Sequence, residues 1–414
     1  MPDEKSFLPK IERLGEEVET LWKKERYAKE VFPRVACEAL QRQRPHENFT
    51  MEGFLQWLRK TKRLPAQLSL HNGFGQPPIT LYRNDPLNFL IDLYVWVTPE
   101  IAIHSHGFRG AFTVLQGKSL HCQYDFPVTE NEDDQVLIGE LLLKEAVLLT
   151  AGEIKEVPQG LKFIHEVWHI SFPTISLVIR TQKWDGLQYT CLKPRFAFRY
   201  RDYTPLETKQ MDTLLMLHRT HSPQEERFLE ELVSIAEPYV GFMHLKKYFE
   251  ETGELKRVRK ILERVPRLKK WADPFLQSLE YLLETRVVWE HIQEEGERLF
   301  LALLTSSMER GQILRFVGTH YPGQSPLTAC LAWLKELVRG KKLAFTLNET
   351  AFDVLELLLY GYKEKKILQK LSQEYEIKNR ILFQRQIHTF CDTLRSTQLL
   401  KPLLPLPQDP SLKT

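Results

Sequence analysis

The sequence lacks the features that mark secreted, membrane-spanning and nucleic-acid-binding proteins. Its five cysteines are odd in number and scattered, without a CxxC pair, which argues against a disulfide scaffold and against a cysteine-ligated zinc site. No run approaches the ~18 consecutive apolar residues of a membrane span. The first ten residues have no basic start followed by an apolar stretch, so we expect no signal peptide. A net charge of +3 is too small to indicate nucleic acid or a membrane surface as a partner. These absences favour a protein of the reducing cytoplasm.

The hydrophobic and aromatic content of the chain is sufficient to form the cores of ordinary globular domains. The chain has 414 residues, of which 43% are hydrophobic and 11% aromatic, and this length predicts two or three domains. Helical periodicity comes first, then short strand-like runs separated by turn residues, then amphipathic helices. The predicted class is therefore α+β and multidomain, with an antiparallel β-barrel. The expected segments are N-terminal helices (1–65), the barrel (66–202), a helical domain (203–340), a small C-terminal domain (341–404) and a tail (405–414).

The stretch "IAIHSHGFRGAFTVLQG" contains two histidines at alternate positions of a predicted strand. Side chains at positions i and i+2 of a strand point to the same side, so His104 and His106 share a face. Two imidazoles are costly on a buried face unless something pairs with them. A metal ion is one such partner, and the rest of the chain must then supply further ligands.

This stretch resembles the first motif of the cupin fold. In cupins an HxH pair is followed by a residue that is often glutamate and then by a glycine in the turn. Here Gly110 stands at the glutamate position and Gly117 at the turn position. The resemblance therefore implies that the strand containing Gly110 supplies no carboxylate ligand to the metal site.

A later stretch resembles the second cupin motif. Gly152 is followed by the turn residues Pro158 and Gly160, and then by His165, with His169 where asparagine is common. The two motifs together imply a cupin barrel in which His104, His106 and His165 bind a metal. His169 has the even spacing from His165 that would place it on the same face, behind the ligands or at the surface.

Within the cupins, residues 80–182 resemble the thiol dioxygenases of the cysteine dioxygenase type. That resemblance implies Fe(II) held by three neutral histidines, and dioxygen and a small thiol as reactants, although another divalent metal stays open. It also implies that Arg83 binds a substrate carboxylate. The family's supporting histidine and tyrosine are replaced here by Val178 and Arg180. These departures favour a different anionic substrate, with Arg180 as a second anion anchor.

The chemistry of the residues agrees with these implications. Imidazole nitrogen is a good ligand for Fe(II), and three ligands on one side leave positions open for substrate and dioxygen. Without a carboxylate ligand the site is more positive, which suits an anionic co-ligand, and the planar fork of an arginine suits a carboxylate. Elsewhere in the barrel, we expect His121 to be an ordinary strand residue and Trp96 to belong to the core.

The segment from Lys341 to about Leu403 resembles the small winged-helix domains of the PqqD type. The motif "LNETA" (347–351) follows the hairpin-like run "KLAFTLNE" and precedes an apolar helix. The resemblance implies a module that binds a peptide by adding it as a strand to a sheet edge. The lysines of the next helix do not form a basic stripe with interleaved aromatic residues, so this segment does not favour nucleic acid.

Two hypotheses follow from the sequence. The first is a mononuclear non-haem iron dioxygenase that oxidises a small thiol or another anionic substrate. The second is a non-catalytic or sensory metal-binding cupin, whose helical and winged-helix modules bind a peptide or protein partner. The iron content of the purified protein is the simplest observation that separates them.

Overall fold

The chain divides into two compact units, Met1–Leu279 and Glu280–Thr414. The structure is a computed structural model, and it describes residues 7–67, 78–97, 100–183, 185–287, 289–343, 345–377 and 379–405. The two units are coarser than the segments expected from the sequence, whose boundaries stay predictions. The predicted tail lies almost wholly outside the described residues.

Three helices, α1 (Phe7–Lys24), α2 (Phe32–Gln43) and α3 (Met51–Lys60), precede the strands. Their apolar faces share one buried cluster with the five-stranded sheet described below. The cluster includes Leu14, Phe32 and Phe89, and the ring centroids of Phe32 and Phe89 are 6.0 Å apart. Thr50 caps α3 by accepting a hydrogen bond from the backbone N–H of Gly53 at 3.1 Å. The N-terminal helices thus cover the outer face of one sheet.

Thirteen strands are seen among the described residues, and all pairs between them are antiparallel. They are β1 (Ile79–Asn84), β2 (Phe89–Trp96), β3 (Glu100–His106), β4 (Gly110–Gln116), β5 (Ser119–Asp125), β6 (Val128–Glu132), β7 (Val136–Gly139), β8 (Leu142–Leu149), β9 (Ile154–Val157), β10 (Gly160–His169), β11 (Thr174–Thr181), β12 (Gln188–Leu192) and β13 (Phe196–Tyr200).

The strand order confirms the cupin barrel. One sheet has the order β1-β2-β11-β4-β9, and the other has the order β6-β7-β13-β12-β3-β10-β5-β8. If strands β2–β5 and β8–β11 are renumbered 1 to 8 along the chain, the sheets contain the orders 1-8-3-6 and 2-7-4-5. This is the eight-stranded double-sheet jelly roll that cupins share with other proteins. The remaining strands extend both sheets at their edges.

Five helices follow the barrel, and the boundary between the two units falls in the last of them. They are α4 (Pro205–Arg219), α5 (Glu225–Ile235), α6 (Pro238–Thr252), α7 (Leu255–Arg264) and α8 (Ala272–Glu284). Phe242 of α6 and Phe275 of α8 pack against Phe196 of β13, with ring centroids 5.0 and 5.3 Å away. The start of the helical segment is thereby part of the same unit as the barrel.

The second unit is helical over its described residues. It contains α9 (Glu295–Thr305), α10 (Arg310–His320), α11 (Pro326–Arg339), α12 (Glu349–Leu359), α13 (Glu364–Glu374) and α14 (Arg380–Ser396). Asn348 of the "LNETA" motif caps α12 by accepting a hydrogen bond from the backbone N–H of Ala351 at 2.8 Å. The expected hairpin is not seen in the described part of 342–349, where Leu343 forms a single bridge with Val287. The winged-helix resemblance therefore stays a prediction.

No helix in the described ranges combines the length and the apolar character needed to cross a lipid bilayer.

Candidate metal centre

The three histidines of the two motifs meet on the inner face of the eight-stranded sheet. Strands β3 and β10 are neighbours, and their register places His165 directly opposite His104. One nitrogen from each of His104, His106 and His165 lies within 4.8 Å of the other two. The Nε2 atoms of His106 and His165 are 2.9 Å apart. The sequence-predicted set is therefore one cluster.

Hydrogen bonds orient two of these rings. The Nδ1 atom of His104 lies 2.7 Å from the carbonyl oxygen of Ala102, which can only accept a hydrogen bond, so Nδ1 carries the proton. This leaves Nε2 of His104 with a lone pair for a metal. The Nδ1 atom of His165 lies 3.0 Å from Nε2 of His121 on β5, a second imidazole that contacts the cluster from behind.

Burial keeps the three rings uncharged. It lowers the pKa of His104, and for His106 and His165 the pKa falls well below the ordinary value through burial first and then through repulsion by neighbouring imidazoles. Neutral imidazole is the form that binds metals. Two nitrogens bound at right angles to one ion at about 2.1 Å would be roughly 3.0 Å apart, close to the observed 2.9 Å. The donor set therefore fits a divalent metal that prefers nitrogen ligands.

Close packing explains why glycine occupies the cupin glutamate position. Gly110 of β4 lies opposite Arg180 of β11. A Cβ atom added at Gly110 would lie 2.1 Å from the carbonyl oxygen of Ile179 and 3.0 Å from Cα of Arg180. Because both contacts are to backbone, no larger residue fits here without moving β11, and the strand cannot supply a carboxylate ligand in this arrangement.

A cavity of about 1020 Å³ opens over the cluster. Its wall on the five-stranded sheet includes Asp92 and Tyr94 of β2 and Arg180 of β11. Thr208 of α4 and Lys246 of α6 also line it, so helices of the first unit contribute to the same wall. Such a volume lies at the upper end of the usual range for small-molecule sites.

The arginine that the sequence proposed as an anion anchor lies in this wall, but it already has a partner. Nε and Nη2 of Arg180 each lie 3.1 Å from Oδ2 of Asp92, and the guanidinium stands 5.2 Å from the ring centroid of Phe108. Thr80 donates a hydrogen bond to Oδ1 of Asp92 at 2.7 Å. Burial acts to lower the pKa of Arg180, whereas Tyr94 and Asp92 raise it, and the net shift is upward. The cation is therefore retained and its charge is offset by a buried carboxylate.

The other two predicted site residues lie away from the cluster. The guanidinium of Arg83 on β1 pairs with Asp85, with Nε 2.5 Å from Oδ1, and Arg83 is not among the residues that line the cavity. His169 lines the cavity, but its described contacts are with Ser119 at 3.0 Å and with the ring of Trp96 at 4.7 Å between centroids. Their proposed roles stay predictions, which this geometry does not favour.

Sequence reasoning missed three residues that shape the site: Asp92, Tyr94 and His121. Alternation along β2 places Asp92, Tyr94 and Trp96 on one face, a signal that the sequence did contain. Trp96, expected in the core, is part of the cavity wall and stacks on both Tyr94 and His169. For His121 the signal was absent, because its contact with His165 depends on β5 lying next to β10.

Comparisons with known proteins do not identify a family or an activity for this chain. No family model matches the sequence, and a search of curated proteins gives no match. Among solved structures, the chain is similar to a cupin-2 domain protein from Shewanella frigidimarina (14% identity, 31% of this chain and 91% of that chain, TM-score 0.18). It is also similar to hydroquinone 1,2-dioxygenase from Sphingomonas sp. TTNP3, bound to 4-hydroxybenzoate (12% identity, 27% and 68% covered, TM-score 0.21). A third is a structure of the DMSP lyases RdDddP and RnDddQII (12% identity, 43% and 93% covered, TM-score 0.25). These scores are too low to support a conclusion, so the fold rests on strand order and the site on its own contacts.

Proposed function

We propose that the protein is a mononuclear metal-dependent oxygenase of the cupin type, which uses dioxygen to oxidise a small thiol or another anionic substrate. The observation that carries this proposal is the convergence of His104, His106 and His165 at a cavity that also contains Arg180. Three neutral nitrogen donors without a carboxylate leave the charge of a divalent ion uncompensated. An anionic substrate would supply the missing negative charge.

Fe(II) is the metal that we propose for this donor set, with another divalent ion as the alternative. Its ligands would be His104, His106 and His165. Bound there, Fe(II) would supply the redox chemistry needed to activate dioxygen and would keep positions for substrate.

The residues on the opposite wall would hold and orient the substrate. Because Asp92 offsets the charge of Arg180, the pair offers hydrogen-bond donors without a net positive charge. A substrate anion would therefore bind through the metal and use the guanidinium for orientation. Burial, followed by the nearby charge of Asp92, raises the pKa of Tyr94 to about 12, so its hydroxyl keeps its proton. This hydroxyl donates a long hydrogen bond of 3.4 Å to Oδ2 of Asp92, and it would have to turn from Asp92 to donate to a substrate.

The test is metal analysis of anaerobically purified protein. We expect near-stoichiometric iron in the wild type and its loss in the double variant H104A/H106A. The control is H388A, which removes an exposed histidine of the second unit that pairs with Glu364. Iron-loaded protein is then screened for oxygen consumption with cysteine, cysteamine and thiol-free carboxylic acids. Absence of metal from the wild type, even after reconstitution, would contradict the proposal.

A binding or sensory protein is the second candidate, and the Asp92–Arg180 pair is the observation that favours it. A site built for catalysis on an anion would benefit from an uncompensated cation, whereas the charge of Arg180 is offset by Asp92. In that case a peptide or protein partner would bind the second unit, where Ile381 and Leu382 of α14 expose 68% and 56% of their surface. Bound iron without oxygen consumption for any probe would favour this candidate over the oxygenase.

A further inference from the structure

We infer that His121 is a positioning residue, which decides whether the lone pair of His165 is available to the metal. The inference rests on the metal site of the proposed function and adds a residue that neither cupin motif contains. It starts from the 3.0 Å contact between Nε2 of His121 and Nδ1 of His165.

The contact is fixed by the sheet and by its apolar surroundings. His121 lies on β5 opposite Val167, and its side chain reaches diagonally to His165 on β10. The residue is completely buried. The rings of Phe112 and Phe163 flank it, with centroids 5.9 and 5.7 Å away. Because water does not reach this position, the two imidazoles must satisfy each other.

One proton lies between the two nitrogens, and its position determines the state of His165. Neutral imidazole carries a single N–H, on Nδ1 or on Nε2. If His165 carries its N–H on Nδ1 and donates that proton to Nε2 of His121, then Nε2 of His165 has a lone pair directed to the cluster. His121 then carries its own proton on Nδ1. This is the arrangement that metal binding requires, and the pair neither gains nor loses a proton in reaching it.

The opposite arrangement blocks the site. If Nε2 of His121 donates to Nδ1 of His165, the proton of neutral His165 lies on Nε2, which is 2.9 Å from Nε2 of His106. That proton then occupies the space between two ligand nitrogens. The tautomer of His104 is fixed, because its partner, the Ala102 carbonyl, can only accept a hydrogen bond.

Nothing else that the structure describes fixes the tautomer of His121. Its Nδ1 atom is buried and has no hydrogen-bond partner among the described residues, so neither a donor nor an acceptor selects one form. A metal bound at the cluster would select the arrangement in which Nδ1 of His165 donates to His121, because it requires the lone pair on Nε2 of His165. Outer partners of metal-binding histidines typically contribute about 10–100-fold to metal affinity.

The first test measures the affinity of the full-length protein for Co(II) and Zn(II) by competition with a chelator. We expect H121F to bind each metal about 10–100-fold more weakly than the wild type. H121Q should restore most of the loss, because its amide oxygen can accept the hydrogen bond from Nδ1 of His165. The matched control is H244F, which replaces a buried histidine of α6 that is not among the described residues lining the cavity, and its affinity should equal that of the wild type. Equal affinities for H121F and the wild type would overturn the inference alone, whereas absence of binding to the wild type would overturn the metal site as well.

The second test reads the tautomer of His121 directly in the wild type, and a variant serves only to assign the signal. In zinc-loaded wild type labelled with ¹⁵N-histidine, the spectrum should show the proton of His121 on Nδ1, with the signal identified by its loss in H121Q. A zinc-loaded protein whose His121 carries the proton on Nε2 would refute the inference.

Discussion

At the scale of single residues, the pair formed by Asp92 and Arg180 changes what the arginine can do. The sequence suggested an arginine free to bind a substrate anion, because Arg180 stands where the resembling family has a tyrosine. The structure adds a buried carboxylate 88 positions earlier in the chain, which binds the same guanidinium. Because Asp92 offsets its charge, Arg180 can orient a bound anion by hydrogen bonding but does not attract one electrostatically.

Removing one member of this pair should be costly. We expect D92N to lower the free energy of unfolding by about 3–5 kcal/mol, since it leaves a buried guanidinium without its counter-charge. The double variant D92N/R180M should recover most of that loss, because no uncompensated charge remains. Urea denaturation measures both.

The control is D85N, which breaks the Arg83–Asp85 pair of the same barrel. Asp85 exposes 65% of its side chain, so water replaces the lost partner and little change is expected. If D92N were as stable as D85N, the Asp92–Arg180 pair would not be buried as described.

At the scale of elements, the start of α4 shows how the helical segment is joined to the barrel. Thr204 accepts a hydrogen bond from the backbone N–H of Glu207, and the Glu207 carboxylate accepts one from the backbone N–H of Thr204, which forms a capping box. Arg201, just after β13, holds the same carboxylate through two hydrogen bonds of 2.7 and 2.6 Å. Because Thr208 in the first turn lines the cavity, these contacts also position part of its wall.

This junction should make stability depend on pH. The hydrogen bonds from Arg201 lower the pKa of Glu207 from 4.5 to about 2, so folding favours the ionised carboxylate. The stabilisation is complete above pH 4.5 and is lost as the pH falls toward 2. We expect E207Q to lower the unfolding free energy by about 1–2 kcal/mol at pH 7, with the difference shrinking near pH 3.

Chemical denaturation at the two pH values measures this difference. E231Q is the control, because Glu231 forms an exposed ion pair with Arg227 on α5 and should change stability little at either pH. A difference between E207Q and the wild type that stayed constant from pH 7 to pH 3 would rule out the ionised carboxylate as its source.

At the scale of the whole molecule, the three-histidine cluster and all the described residues that line its cavity belong to the first unit. The helical segment that follows the barrel is therefore partly a component of the site, through α4 and α6. In the second unit, residues Leu299–Leu304 of α9 are buried on all sides of the helix.

We therefore expect residues 1–284, which end with α8, to fold without the rest of the chain. This fragment should unfold cooperatively and bind Zn(II) with the affinity of the full-length protein, because its cluster and cavity wall are complete. Calorimetry and chelator competition check the two statements. An insoluble fragment, or one that binds Zn(II) much more weakly, would show that the second unit is needed for the site.

The sequence determined the fold class and the three histidines that form the cluster, because local patterns specify both. Strand alternation placed His104 and His106 on one face, and the turn residues Gly152 and Gly160 marked the second motif that leads to His165. The "LNETA" segment was likewise found as a helix start, since capping is decided by neighbouring residues. The hairpin expected just before it is not seen in the described residues.

Only the tertiary structure decided which distant residues meet. The His121–His165 contact depends on β5 lying beside β10, and the Asp92–Arg180 pair depends on β2 lying beside β11. The close approach of Gly110 to Ile179, which excludes a carboxylate ligand, also follows from the packing of β4 on β11. A strand's own residues specify which side faces inward, whereas its neighbours are selected by the packing of the whole barrel.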